Sequence, residues 1–211
     1  MEKTIVIMSG SFNPPTIAHH KTMLAAVEAL DAGKGFYIPT PAKALRYKMR
    51  KAGFPAEVLS EEHRTAMLKA MAQEDPRLEV SDVECRHPKW HAMETMKHFR
   101  EMYPEAELYY LTGSDNLAMF LRSRRLEEFL ENFHFAVVDR DREDTTPILM
   151  TNEIAWERKE RFAIIPSPME KDGISSTAVR EKFRNGEPGA EEMLHPKVME
   201  LMKEAAIWVN G

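Results

Sequence analysis

Short apolar runs alternate with amphipathic stretches along the whole chain, and this alternation predicts the architecture. Thr4–Met8 is an almost unbroken apolar run, the pattern of a strand covered on both faces. Thr16–Asp31 then places Ile17, Leu24, Val27 and Leu30 at helical spacing, with Gly33 as the stop. Gly35–Pro39 reads as a second strand and Leu78–Val83, with its alternation, as a third. Leu108–Thr112, Phe133–Val138 and Phe162–Pro166 continue the series. Helices are predicted after Ser60, which can cap a helix carrying Glu61 and Glu62 in its first turn, and over His91–Met102. Two short ones are expected between Asp115 and Glu131, then others over Asn152–Arg161, Ala178–Asn185 and Pro196–Ala206. Thr40–Leu59 reads as long and irregular, and Asp139–Thr146 as an acidic surface loop. Regular strand–helix alternation implies an α/β fold: a doubly wound, mostly parallel sheet with helices on both faces and helices at the C-terminal end. One domain is expected over residues 1–211, with 174–211 its helical C-terminal portion. Ligands of such sheets bind beyond the carboxyl ends of the strands, so the turns at 9–20, 113–115 and 174–180 are expected to share one crevice.

Composition narrows the chemistry. The apolar fraction of 43% supports a sizeable core, and a net charge of −5 leaves no broad basic surface for nucleic acid. Positive charge for an anionic substrate must therefore be local. The only cysteine is Cys85, which excludes an intrachain disulfide and a CxxC metal site and suits a reducing cytosol. No run approaches a membrane span, no signal peptide is read at Met1–Ile5, and a cytoplasmic location is expected. His63, His87, His98, His134 and His195 lack metal-ligand spacing and His20 reads as structural or exposed, so no protein-held metal is expected.

Two turns carry the chemistry. In Gly10-Ser11-Phe12-Asn13-Pro14-Pro15-Thr16-Ile17-Ala18-His19, a buried strand enters a helix. Gly10 permits close backbone approach, the following N–H groups and the helix start can face an anion, and His19 lies one turn in. Ile174-Ser175-Ser176-Thr177-Ala178-Val179-Arg180 offers hydroxyls and free N–H groups at a helix start, with Arg180 one turn further. Each turn alone also reads as an ordinary cap with a solvated side chain.

Together, and in this order, the two segments resemble the signatures of the nucleotidyltransferase superfamily, written (H/T)xGH and ISSTxxR. The Gly-Ser-Phe-Asn-Pro form with Thr16 in the first motif position resembles the nicotinamide/nicotinate mononucleotide adenylyltransferases; Ala18 stands where the motif has Gly. The resemblance implies a Rossmann-like nucleotidyltransferase fold and an enzyme joining AMP from ATP to a pyridine mononucleotide, with Mg2+ carried by the ATP phosphates. It assigns catalytic roles to His19, Thr16 and Arg180, and ATP contacts to Gly10, Ser11, Phe12, Ile174, Ser175, Ser176 and Thr177. A lysine of the basic loop joins them, for which Lys43, Arg46 and Lys48 compete. Gly113 and Asp115 match the family's Gly-x-Asp, which contacts the nucleotide, while Asp115 reads equally as a helix N-cap.

On the acceptor side the resemblance implicates Asn13, Trp90, Glu94 and Thr95. A second stacking tryptophan expected downstream is replaced by Phe120-Leu121-Arg122. Two other readings stay open: a nucleotidyltransferase for another phosphate acceptor, such as a pantetheine phosphate, and a non-catalytic nucleotide-binding sensor on the same fold. Neither nucleic acid nor membrane is an expected partner, and a homo-oligomer is compatible with the chain.

Overall fold

In a computed structural model of the chain, residues 3–139, 145–169 and 173–208 are described. The elements follow in the order β1 Thr4–Gly10, α1 Ile17–Ala29, β2 Lys34–Pro39, α2 Ala42–Lys51, α3 Glu61–Ala72, β3 Leu78–Val80, α4 Val83–Arg86 and α5 Ala92–Met102. Then come β4 Glu107–Gly113, α6 Ser114–Leu121, α7 Leu126–Asn132, β5 His134–Val138, α8 Thr146–Met150, α9 Glu153–Glu157, β6 Phe162–Ile165, α10 Ser176–Asn185 and α11 Pro196–Glu204. The six strands form one sheet in the order β3-β2-β1-β4-β5-β6. The pairs β1–β4, β4–β5 and β5–β6 run parallel, with Ile5 opposite Leu108, Leu111 opposite Ala136 and Val137 opposite Ile164. This is the doubly wound Rossmann order, whose direction reverses between β1 and β4. No helix among the described residues is long and apolar enough to cross a membrane.

The chain divides into two compact units. One comprises Met1–Met8, Thr22–Phe36 and His91–Asp172; the other comprises Ser9–Lys21, Tyr37–Trp90 and Gly173–Gly211. In the first, β1, β4 and β5 are buried on both faces, as the apolar runs predicted, with Ile5, Val6, Ile7, Leu108, Ala136 and Val137 all at zero exposure, whereas Ile164 of β6 is exposed. Tyr110, Phe120, Phe129, Phe135 and Phe162 form a chain of ring contacts with centroids 4.6–6.2 Å apart. In the second, α3 packs against α11, burying Met67, Leu68 and Met71 of one and Val198 and Met202 of the other.

Most predicted elements are found within two residues of their expected ends. Three differences have clear causes. Thr40–Leu59 is not irregular: it holds α2, which buries Ala42, Leu45 and Met49 on one stripe and exposes its charges on the other. The density of lysine and arginine hid the stripe. Lys48, Arg50 and Lys51 in the last turn suit the helix dipole, and Glu61 accepts the Ala42 N–H at the start. The third strand stops at Val80, because Val83–Arg86 turns into α4. A short α8, opened by Pro147 in its first turn, was unread in the sequence. Of the predicted acidic loop, residues 140–144 lie outside the described residues; Thr145 is buried and its hydroxyl meets the Asp139 carboxylate.

Candidate active site

The turn after β1 is built around Phe12, which sits in the left-handed region (φ 43°) with its ring buried. A side chain on Gly10 would place its Cβ 3.1 Å from that ring, a tight contact that the buried Phe12 could relieve only by shifting. The same ring meets His19 edge-on at 5.1 Å. Thr16 is fully buried, and its backbone N–H donates to His19 Nδ1 at 3.0 Å, with its hydroxyl 2.8 Å from the same nitrogen. An amide N–H on Nδ1 makes that nitrogen an acceptor. The neutral ring therefore carries its proton on Nε2. The half-buried His19 is thus presented as an Nε2–H donor, held by the residue three positions earlier.

The second turn lies directly against the first, within the same unit. Ser175 is the N-cap of α10 and accepts the Ala178 N–H at 3.1 Å. Ser176 donates its hydroxyl to Pro14 O at 2.8 Å. Arg180 is 8% exposed; Nη1 donates to Asn13 O at 2.8 Å and Nη2 to Thr177 Oγ1 at 3.2 Å. Its Nε lies 3.4 Å from Glu57, which also pairs with Arg184 at 2.6 and 2.8 Å. Burial pulls the Arg180 guanidinium below its usual range, opposed by Glu57. So Arg180 and Ser176, read from the sequence as phosphate ligands, are engaged in fastening α10 to the first turn. Ile174 is half-buried and Thr177 exposed beside them.

Asn13 has a similar job. Fully buried, it donates to Glu57 O at 2.7 Å and accepts from the Leu59 N–H at 2.9 Å, fastening the 57–59 segment instead of facing solvent. Arg64, unnoticed in the sequence, is wholly buried and donates to Ser11 O at 2.9 Å and Thr40 O at 2.7 Å. Its signal was present: three and four residues before Met67 and Leu68, it stands on the apolar face of α3, where an arginine needs a reason. Ser9 likewise donates to the buried Glu84 at 2.9 Å.

The remaining candidates divide between the units. In the second unit, Lys43 and Arg46 are exposed on α2, and Trp90 stacks on His87 at 4.1 Å and 12°. In the first, Gly113, not Asp115, is the N-cap of α6; Asp115 follows in its first turn, exposed and bonded to Asn116. Glu94 closes a capping box with His91 and pairs with Arg125 at 2.5 Å. Burial works against that carboxylate, but Arg125 and the His91 N–H outweigh it and hold it below the usual range. Thr95 is fully buried. Ala18, in the motif's glycine position, is buried as well.

The family model described as cytidylyltransferase-like matches residues 7–182, a span that includes both turns. The chain belongs to the cytidylyltransferase-like family. Its relatives include a probable nicotinate-nucleotide adenylyltransferase of Carboxydothermus hydrogenoformans, 31% identical over 87% of this chain and 88% of the relative. A second, from Lachnoclostridium phytofermentans and of the same name, is 27% identical over 88% and 89%. Among solved structures, the Plasmodium falciparum nicotinic acid mononucleotide adenylyltransferase complexed with APC superposes with a TM-score of 0.73. The same protein complexed with NaAD gives 0.71. Each is 16% identical and covers 98% of this chain and 97% of its own, so this family's fold is the fold seen here.

Proposed function

We propose that this chain transfers AMP from ATP to nicotinate mononucleotide, and with lower efficiency to the nicotinamide form, releasing pyrophosphate. The observation that carries the reading is the joined pair of turns. Thr16 fixes His19 as an Nε2–H donor, and α10 is bonded to the same loop through Ser176 and Arg180. The relatives' names favour the acid as acceptor.

In this reading the acceptor's phosphate oxygen attacks the α-phosphorus of ATP. The bond to the β-phosphate bridge breaks, and pyrophosphate leaves. The nucleophile is already anionic, so alignment and charge stabilisation suffice, without a strong base or a covalent enzyme intermediate. His19 donates to the transferring phosphate, while the N–H groups of the Gly10–Phe12 turn and of the α10 start seat phosphate oxygens. Arg180 acts by its charge and by holding the turn in shape. ATP enters as its magnesium complex, the ion carried by its phosphates. Lys43 or Arg46 adds positive charge, and Trp90 meets the pyridine ring. Asn13 acts by holding the 57–59 segment.

Purified protein given ATP, Mg2+ and each mononucleotide in turn should form the dinucleotide and pyrophosphate, with higher kcat/KM for the acid. His19→Ala should lower kcat by about 10²–10³, the usual loss on removing a charge-stabilising donor. Absence of dinucleotide from both acceptors would refute the proposal.

A further inference from the structure

One cluster outside the two turns has ligand chemistry of its own. His20 on α1, Glu74 just after α3 and His195 at the N-cap of α11 converge from sequence separations too large for any motif to reveal. Both histidines are 3% exposed. Both turn Nε2 onto the one carboxylate: His20 at 2.9 Å from Oε2 and His195 at 2.8 Å from Oε1. The rings meet edge to face at 5.2 Å, and one ligand atom from each of the three residues lies within 4.8 Å of the others.

Two details separate this cluster from an ordinary polar contact. His195 Nε2 is completely buried and lies 2.8 Å from Glu74 Oε1 without a well-aligned hydrogen bond. Secondly, Glu74 is 48% exposed, leaving the carboxylate side open to an incoming ion and to water. Asp75, the next residue, is spoken for by Arg77 at 2.7 Å.

We propose that His20, Glu74 and His195 bind a borderline divalent transition-metal ion of the zinc class. Two imidazole nitrogens and one carboxylate suit such an ion, with water as fourth ligand; they do not suit magnesium or calcium, which take oxygen. A second shell is in place. Tyr37 Oη lies 3.2 Å from His20 Nδ1, where it can receive the Nδ1–H of a metal-bound ring. His195 pays differently: its Nδ1 now accepts the Lys197 N–H at 3.2 Å. Coordination through Nε2 moves the ring proton to Nδ1, so the ion displaces the Lys197 amide from the cap. The ion joins the start of α1, the end of α3 and the start of α11, a set the unfolded chain cannot present, so binding stabilises the fold. None of this depends on the adenylyl-transfer reading.

The test uses the full chain, stripped with chelator, titrated with ZnCl2 by calorimetry and thermal denaturation, with CoCl2 as optical probe and MgCl2 as control. One zinc per chain, a raised Tm, a four-coordinate cobalt spectrum and a shifted Lys197 amide resonance are expected, with magnesium inert. His195→Ala and Glu74→Gln should each weaken zinc by about 100-fold, and Tyr37→Phe by about 10-fold. No saturable zinc binding by the wild type, or binding unchanged in the variants, overturns the proposal. If His195→Ala fails to fold, Glu74→Gln and the wild-type Lys197 resonance decide alone.

Discussion

At the scale of single residues, His19 shows how a backbone can set the proton of a side chain. The Thr16 N–H and hydroxyl both meet Nδ1, but only the amide is obliged to donate. Thr16→Val keeps the shape and the amide and loses the hydroxyl. A neutral hydrogen bond is worth about 0.5–1.5 kcal/mol, so kcat/KM should fall by about tenfold at most, well short of His19→Ala. Equal losses in the two variants would mean that the hydroxyl, not the amide, orients the ring. The two residues were legible in the sequence through the resemblance of Gly10–His19 to the superfamily signature, but the bond between them was not. The functions of Asn13, Ser176 and Arg180 as fasteners were not, since their partners are backbone carbonyls, which no residue pattern announces.

At the scale of elements, apolar periodicity located nearly every strand and helix, and failed where charge crowded a short stripe, as in α2. Arg64 is the element-scale consequence of such a stripe. From the buried face of α3 it holds the Ser11 and Thr40 carbonyls. Arg64→Leu strands both acceptors, each costing about 1–3 kcal/mol, so urea unfolding should report a loss of about 2–6 kcal/mol. A loss below about 1 kcal/mol would show that water replaces the guanidinium. At the start of β5, His134 Nε2 faces the Arg161 guanidinium at 2.9 Å and so accepts from it. Burial first, and Arg161 next, lower its pKa. The folded state therefore prefers the neutral ring: its contribution is present above the unfolded value near 6.5 and is lost as pH falls through the lower folded value. Tm should drop between pH 7.5 and 5.5, and less so in His134→Gln; the same drop in both would clear His134 of the effect.

At the scale of the molecule, the proposed reaction asks a chain of net charge −5 to bind a polyanion. The sequence showed that the positive charge must be local but could not rank the basic residues of 43–51 while that segment read as irregular. A helix ranks them. At about 100° per residue, Lys43 and Arg46 lie on one stripe of α2, whereas Lys48 is roughly 140° from Lys43. Lys43 and Arg46 should therefore act together on ATP, and Lys48 should not. Lys43→Ala and Arg46→Ala are each expected to raise KM for ATP by about tenfold at low salt with kcat little changed, the mark of binding shared by ground and transition states. Added salt should shrink the difference, since the screening length falls to about 8 Å near physiological ionic strength. A larger KM effect from Lys48→Ala, or none from either stripe residue, would place the phosphates elsewhere than along this face of α2.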